Sequence, residues 1–102
     1  MNDVVLGKEE ARKIALTLID ELAQKDGRDY VIIDELIVEK ELAWAFPFNS
    51  KEYAETRDFR KMVLGIAPIV VKRRSGAACM APPMQLDVFM DQYAAEPDEQ
   101  TN

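Results

Sequence analysis

Four carboxylates, Asp34, Glu35, Glu39 and Glu41, fall within eight consecutive residues, relieved only by Lys40. Side chains of this type at this density hold a hard divalent cation, exchange protons with a substrate, or meet the lysines and arginines of a partner protein. A calcium loop is disfavoured, because the stretch has neither the central glycine nor the alternating ligands that such a loop needs. The sequence contains no histidine and a single cysteine, Cys79. Ser-His and Cys-His nucleophilic pairs, histidine-ligated or all-cysteine zinc, and an intrachain disulfide are therefore excluded. What remains is carboxylate acid/base work, a carboxylate-bound cation, or binding without chemistry. The composition favours the last: no catalytic residue, cofactor or metal ligand is assigned. As a docking element the four acids suit a basic partner, where complementarity speeds association and sets partner choice. The plainer alternative is a solvated strand edge whose charges discourage sheet-to-sheet pairing.

Other chemistry-bearing residues have structural readings beside the functional ones. Trp44, Phe46 and Phe48 alternate along one stretch and are expected on the core face of a strand rather than as a binding platform. Tyr53 and Tyr30 are the better surface candidates, since an interfacial tyrosine offers area and a hydroxyl at little entropic cost. Tyr53 joins Asp34, Glu35, Glu39 and Glu41 as a candidate partner-binding residue. The bases Arg57, Arg60, Lys61 and Lys72-Arg73-Arg74 lack the interleaved aromatics of a nucleic-acid site and are expected to pair with acids or cap a turn. Cys79, in an apolar strand context, reads as a buried and unreactive thiol.

The elements that must position these residues belong to a chain of 102 residues, long enough for one core and short for two. One domain over residues 1–102 is expected, with its core at about 8–94 and a frayed acidic tail at 96–102. The net charge of −6 is unevenly placed: residues 1–41 carry −5, residues 42–81 carry +4 and residues 82–102 carry −5. Such acidity argues against nucleic acid as a partner and for a basic protein, or else serves solubility. No apolar run approaches the ~20 residues of a membrane span, and the N-terminus lacks the pattern of a secretory signal. A cytoplasmic location is the expectation.

Ala11, Ile14, Ala15, Leu18, Ile19 and Leu22 follow the spacing of one helical face, which predicts a helix over about 8–24. Tyr30–Ile33 and Leu36–Val38 read as one or two strand pieces, and Leu42–Phe48 as a strand that lies at an edge or ends near Pro47. Asn49-Ser50 is a plausible cap for a short helix or ordered loop after Lys51. Ile69–Val71 reads as a strand buried on both faces, Arg73–Gly76 as a hairpin turn with Gly76 at positive φ, and Ala77–Met80 as the returning strand. Pro82-Pro83 leads into a helix over about 84–95. The order gives an α+β fold: an antiparallel sheet of three to five strands, with an N-terminal and a C-terminal helix packed on one face.

One further pattern runs through these elements. Trp44-x-Phe46-x-Phe48-Asn49-Ser50-x-x-Tyr53-x-x-Thr56, then Leu64-Gly65-x-Ala67-Pro68-Ile69-Val70-Val71, then Gly76 and a closing helix with Tyr93, resembles the immunity protein 35 family, also called YrhB-like domains. The resemblance covers about residues 8–94, with departures at Ala43, Lys72 and Ala81-Pro82-Pro83. It implies a small cytoplasmic antidote of bacterial polymorphic toxin systems; a monomer or small homo-oligomer is expected. Such a protein binds a cognate toxin without cofactor or catalytic residue. A general chaperone-like or stress-related small domain is the alternative.

Overall fold

The computed structural model describes residues 5–97, so most of the expected acidic tail lies outside the described residues. Helix α1, Lys8–Asp26, buries Ala11, Ala15 and Ile19 along the stripe set by its spacing. It ends as a C-terminal glycine dictates: Gly27 sits at φ 68° and its N–H reaches the Ala23 carbonyl. Strand β1 is Tyr30–Ile32, followed by a 3₁₀ turn over Asp34–Leu36 and the two-residue strand β2, Val38–Glu39. The expected strand through Leu36–Val38 is thus shortened. The Leu36 N–H bonds the Ile33 carbonyl and the Ile37 N–H bonds the Asp34 carbonyl, and this turn is closed before Val38 can pair.

The stretch expected to be one strand over Leu42–Phe48 is two, β3 at Ala43–Phe46 and β4 at Phe48–Ser50. Pro47 between them has no N–H to give to a ladder, and its carbonyl instead accepts from the Ile33 N–H at 2.9 Å. The chain changes sheets there. Strand β4 pairs antiparallel with β1, Phe48 opposite Ile32, and β3 lies inside a second antiparallel sheet. Its order is β2-β3-β5-β6, where β5 is Ile69–Lys72 and β6 is Ala78–Met80. The β5–β6 turn has Gly76 at φ 81°, as its sequence predicts. Helix α2, Lys51–Thr56, starts under the Ser50 hydroxyl, which accepts the Tyr53 N–H at 3.1 Å, and α3 spans Leu86–Ala95.

The two long helices do not share a face of the sheet, which corrects that part of the sequence expectation. Trp44, Phe46, Ile69 and Val71 pack with Ala11, Ala15 and Ile19 of α1, joined by Tyr30, Ile32 and Phe48. Ala43, Ala45 and Val70 point the other way and pack with Ala81 and Met90, beside Leu86 and Phe89 of α3. Alternation along β3 is the physical reason. Its large side chains fill the α1 layer, while its alanines leave room for α3 to approach and for Met90 to be wholly buried. Fully burying Phe46, Ile19 and Met90 stabilises the fold by roughly 1.5–3 kcal/mol each.

Candidate protein-interaction surface

The sequence-derived candidates occupy defined places, three of them beside arginines of the same chain. Asp34 accepts from Arg12 Nε at 3.2 Å, Glu39 lies 3.2 Å from Arg73 Nη1, and Glu35 is bonded to Arg57 Nη2. All three carboxylates stay about 60% exposed, so these pairs are solvated and individually weak. The backbone N–H of Glu35 and then the Arg57 guanidinium hold its carboxyl below the usual carboxylate range. Glu41 is exposed in the turn between β2 and β3. Among the described residues no group of three or more acids and cysteines is arranged to hold a metal ion.

The two tyrosines part company. Tyr30 is buried: its ring meets Phe48 edge-on at 5.5 Å, and its hydroxyl donates to Asp26 at 2.6 Å. It is a core residue, contrary to the surface expectation, because the β1–β4 pairing places it under α1. Tyr53 is half-buried at the surface, with the Arg57 guanidinium 5.9 Å from its ring centre and Phe59 6.2 Å away. Cys79 is half-buried rather than buried, and desolvation pushes its thiol pKa up.

Around Tyr53 the tertiary structure assembles a surface that the sequence did not single out. Phe59 is 76% exposed and Leu64 83% exposed, the two most exposed large apolar side chains described. Leu36, beside Glu35, is half-exposed. Leu64 lines a shallow depression together with Arg28, Glu52, Asp58, Arg60 and Lys61. Exposed aromatic and arginine side chains are enriched at protein–protein interfaces.

The presentation of this patch is built, and each part has a visible cause. Buried Asn49 accepts the Val63 N–H at 2.8 Å and donates to the Val63 carbonyl at 3.1 Å. Buried Ser50 donates to the Lys61 carbonyl at 2.9 Å while capping α2. Asp58 caps the 3₁₀ turn Phe59–Lys61 by accepting the Arg60 N–H at 3.0 Å, and the Arg60 guanidinium keeps its carboxyl below the usual range. Arg57 closes α2 at φ 59°, the one non-glycine residue described at positive φ. That conformation is ordinarily left to glycine or asparagine, and strain of this kind collects at functional surfaces. One sequence signal was available: Phe59 is flanked on both sides by charged residues, Arg57 and Asp58 before it and Arg60 and Lys61 after it.

Lys72 and Lys40 hold structural positions. Lys72 is buried, with Nζ 4.7 Å from the Tyr93 ring centre and 2.7 Å from the Glu96 carbonyl at the end of α3, where a cation suits the helix dipole. Lys40 reaches Asp87 at 2.6 Å and Asp91 at 2.8 Å, tying β2–β3 to α3. No helix among the described residues is long and apolar enough to cross a membrane.

Neither a curated protein nor a solved structure matches this chain. The family model described as Immunity protein 35 matches residues 9–95, which takes in all but the first residue of the elements from α1 to α3 and the whole of the Tyr53–Leu64 segment. With that span matched, the chain belongs to the immunity protein 35 family.

Proposed function

We propose that this protein is an antitoxin-like immunity protein that neutralises a cognate antibacterial toxin in the cytoplasm by stoichiometric binding, without catalysis of its own. Family membership supports the role. The observation that carries the mode of action is the exposed pair Phe59 and Leu64, held out on a segment anchored by Asn49 and Ser50. In this reading Phe59 and Leu64 enter the toxin interface with Tyr53 and Arg57. Asp34, Glu35, Glu39 and Glu41 form an acidic flank that steers the approach of a basic toxin surface. Three of these acids already touch an arginine, so their part is in association rate more than in the strength of the final complex.

The test is co-expression with the toxin encoded beside this gene. The wild-type chain protects cells and co-purifies with the toxin in equal amounts, and the double variant Phe59→Ala, Leu64→Ala stays folded but loses protection. Protection retained by that variant overturns the proposed surface. A neighbouring gene that encodes no toxin, together with broad suppression of aggregation of unrelated unfolded proteins, overturns the immunity reading in favour of a chaperone-like one.

A further inference from the structure

The four-stranded sheet has two edges, and they differ in how they are guarded. Strand β2 is two residues long and carries charge: Glu39 meets Arg73, and the adjoining Lys40 meets Asp87 and Asp91. Short, charged edges resist pairing with another strand. Strand β6, at the other edge, is Ala-Cys-Met with no charged residue. The Lys72 N–H bonds the Ala77 carbonyl and the Ala81 N–H bonds the Pro68 carbonyl, so residues 77, 79 and 81 turn their backbone groups towards β5. By alternation the N–H and C=O of Ala78 and Met80 point outward. Beside this edge runs a groove lined by Leu18, Leu22 and Met80, rimmed by Glu21 and Lys25 of α1.

We infer that β6 pairs antiparallel with β6 of a second copy of this chain, about a twofold axis through Cys79, to give a continuous eight-stranded sheet. In that register Ala78 of each copy faces Met80 of the other and exchanges both outward hydrogen bonds with it. The two Cys79 residues become a directly opposed, non-hydrogen-bonded pair with Cα atoms about 4.5 Å apart. The same axis sets the two α1 helices antiparallel on one face, so that Glu21 of each copy meets Lys25 of the other and the apolar grooves become continuous. This self-complementarity identifies the occupant as a second copy. A twofold axis needs a surface whose acid and base exchange places under rotation, and one acid and one base a turn apart provide it. The rim is locally neutral, so the net charge of −6 does not oppose contact at this face.

The experiment is sedimentation of the full chain at micromolar concentration, with diamide oxidation read on a non-reducing gel. A dimer is expected, together with a disulfide-linked band at twice the chain mass that Cys79→Ser abolishes, since the expected Cα separation lies within disulfide range. Met80→Lys, at an exposed edge position, gives a monomer with an unchanged circular dichroism spectrum. Glu21→Lys weakens dimerisation roughly tenfold, and adding Lys25→Glu restores it. A wild-type chain that sediments as a monomer overturns the inference. So does a dimer that survives Met80→Lys and yields no Cys79 crosslink, because its interface is then elsewhere.

Discussion

Asn49 grips Val63 by both backbone groups, its side-chain carbonyl accepting the N–H at 2.8 Å and its amide donating to the C=O at 3.1 Å. The two residues lie fourteen apart, and Asn49 is buried in β4. This clamp is what turns the segment after the Phe59–Lys61 turn back onto the sheet and leaves Leu64 standing in solvent. The same amide carbonyl also takes the Ser50 N–H at 2.8 Å, so one side chain satisfies three backbone groups.

Asn49→Ala therefore removes more than one hydrogen bond. It leaves part-buried backbone groups without partners and is expected to destabilise the fold by about 2 kcal/mol, lowering the melting temperature by roughly 10 °C. Hydrogen exchange is expected to accelerate at Val63 while the β3–β5 ladder keeps its protection. Uniform acceleration across the sheet would show that Asn49 supports the whole fold and not this segment.

Arg57→Gly separates backbone from side chain at the proposed surface. Glycine adopts φ 59° without strain, so stability is expected to change by less than about 1 kcal/mol. The guanidinium contacts with Glu35 and the Tyr53 ring are lost, and toxin binding is expected to weaken about tenfold. Thermal melts and toxin titration measure the two effects independently.

Arg73 joins four parts of the chain. Its guanidinium lies 4.9 Å from the Trp44 ring centre and contacts Glu39 and the Lys40 carbonyl, while its backbone bonds Leu6 and Leu42. Trp44 in turn donates its indole N–H to the Leu6 carbonyl at 3.1 Å. Arg73→Ala is expected to destabilise by about 2 kcal/mol through lost stacking and an unmatched carbonyl. Arg73→Lys recovers less than half, because an ammonium neither stacks nor forks. Trp44 is the single tryptophan, so its emission reports the change directly.

Tyr30 gives a pH dependence with a definite sign. The bond to Asp26, then burial, raises its pKa above the ordinary 10.0, so the folded chain holds the phenolic proton more tightly than the unfolded chain. The associated stability is complete below pH 10 and falls as pH rises through the folded value. Melting temperature is expected to drop more steeply above pH 10 in the wild type than in Tyr30→Phe. At neutral pH the variant is the weaker of the two by about 1 kcal/mol, the worth of the lost hydrogen bond. Parallel slopes above pH 10 would remove Tyr30 as the titrating group.

The sequence by itself determined the helices α1 and α3, most of the strands and the inward faces of α1 and β3, because periodicity is local. The α1 stripe of Ala11, Ala15 and Ile19, the core side of Trp44, Phe46 and Phe48, the Ser50 cap and the positive φ of Gly76 follow from residues a few positions apart. The tertiary structure decided which neighbour each face meets. Alternation in β3 separates Trp44 from Ala45 but does not say that α1 covers one side and α3 the other. Pro47 marks a break without saying that the chain crosses to a second sheet there. Asp34, Glu35 and Glu39 read as one acidic run, yet each takes an arginine distant in the chain. Exposure was decided last: Phe59 and Leu64 are apolar and would be assigned inward by type. They stand in solvent because Asn49 and Ser50, in a strand nine to fifteen residues away, hold the backbone between them.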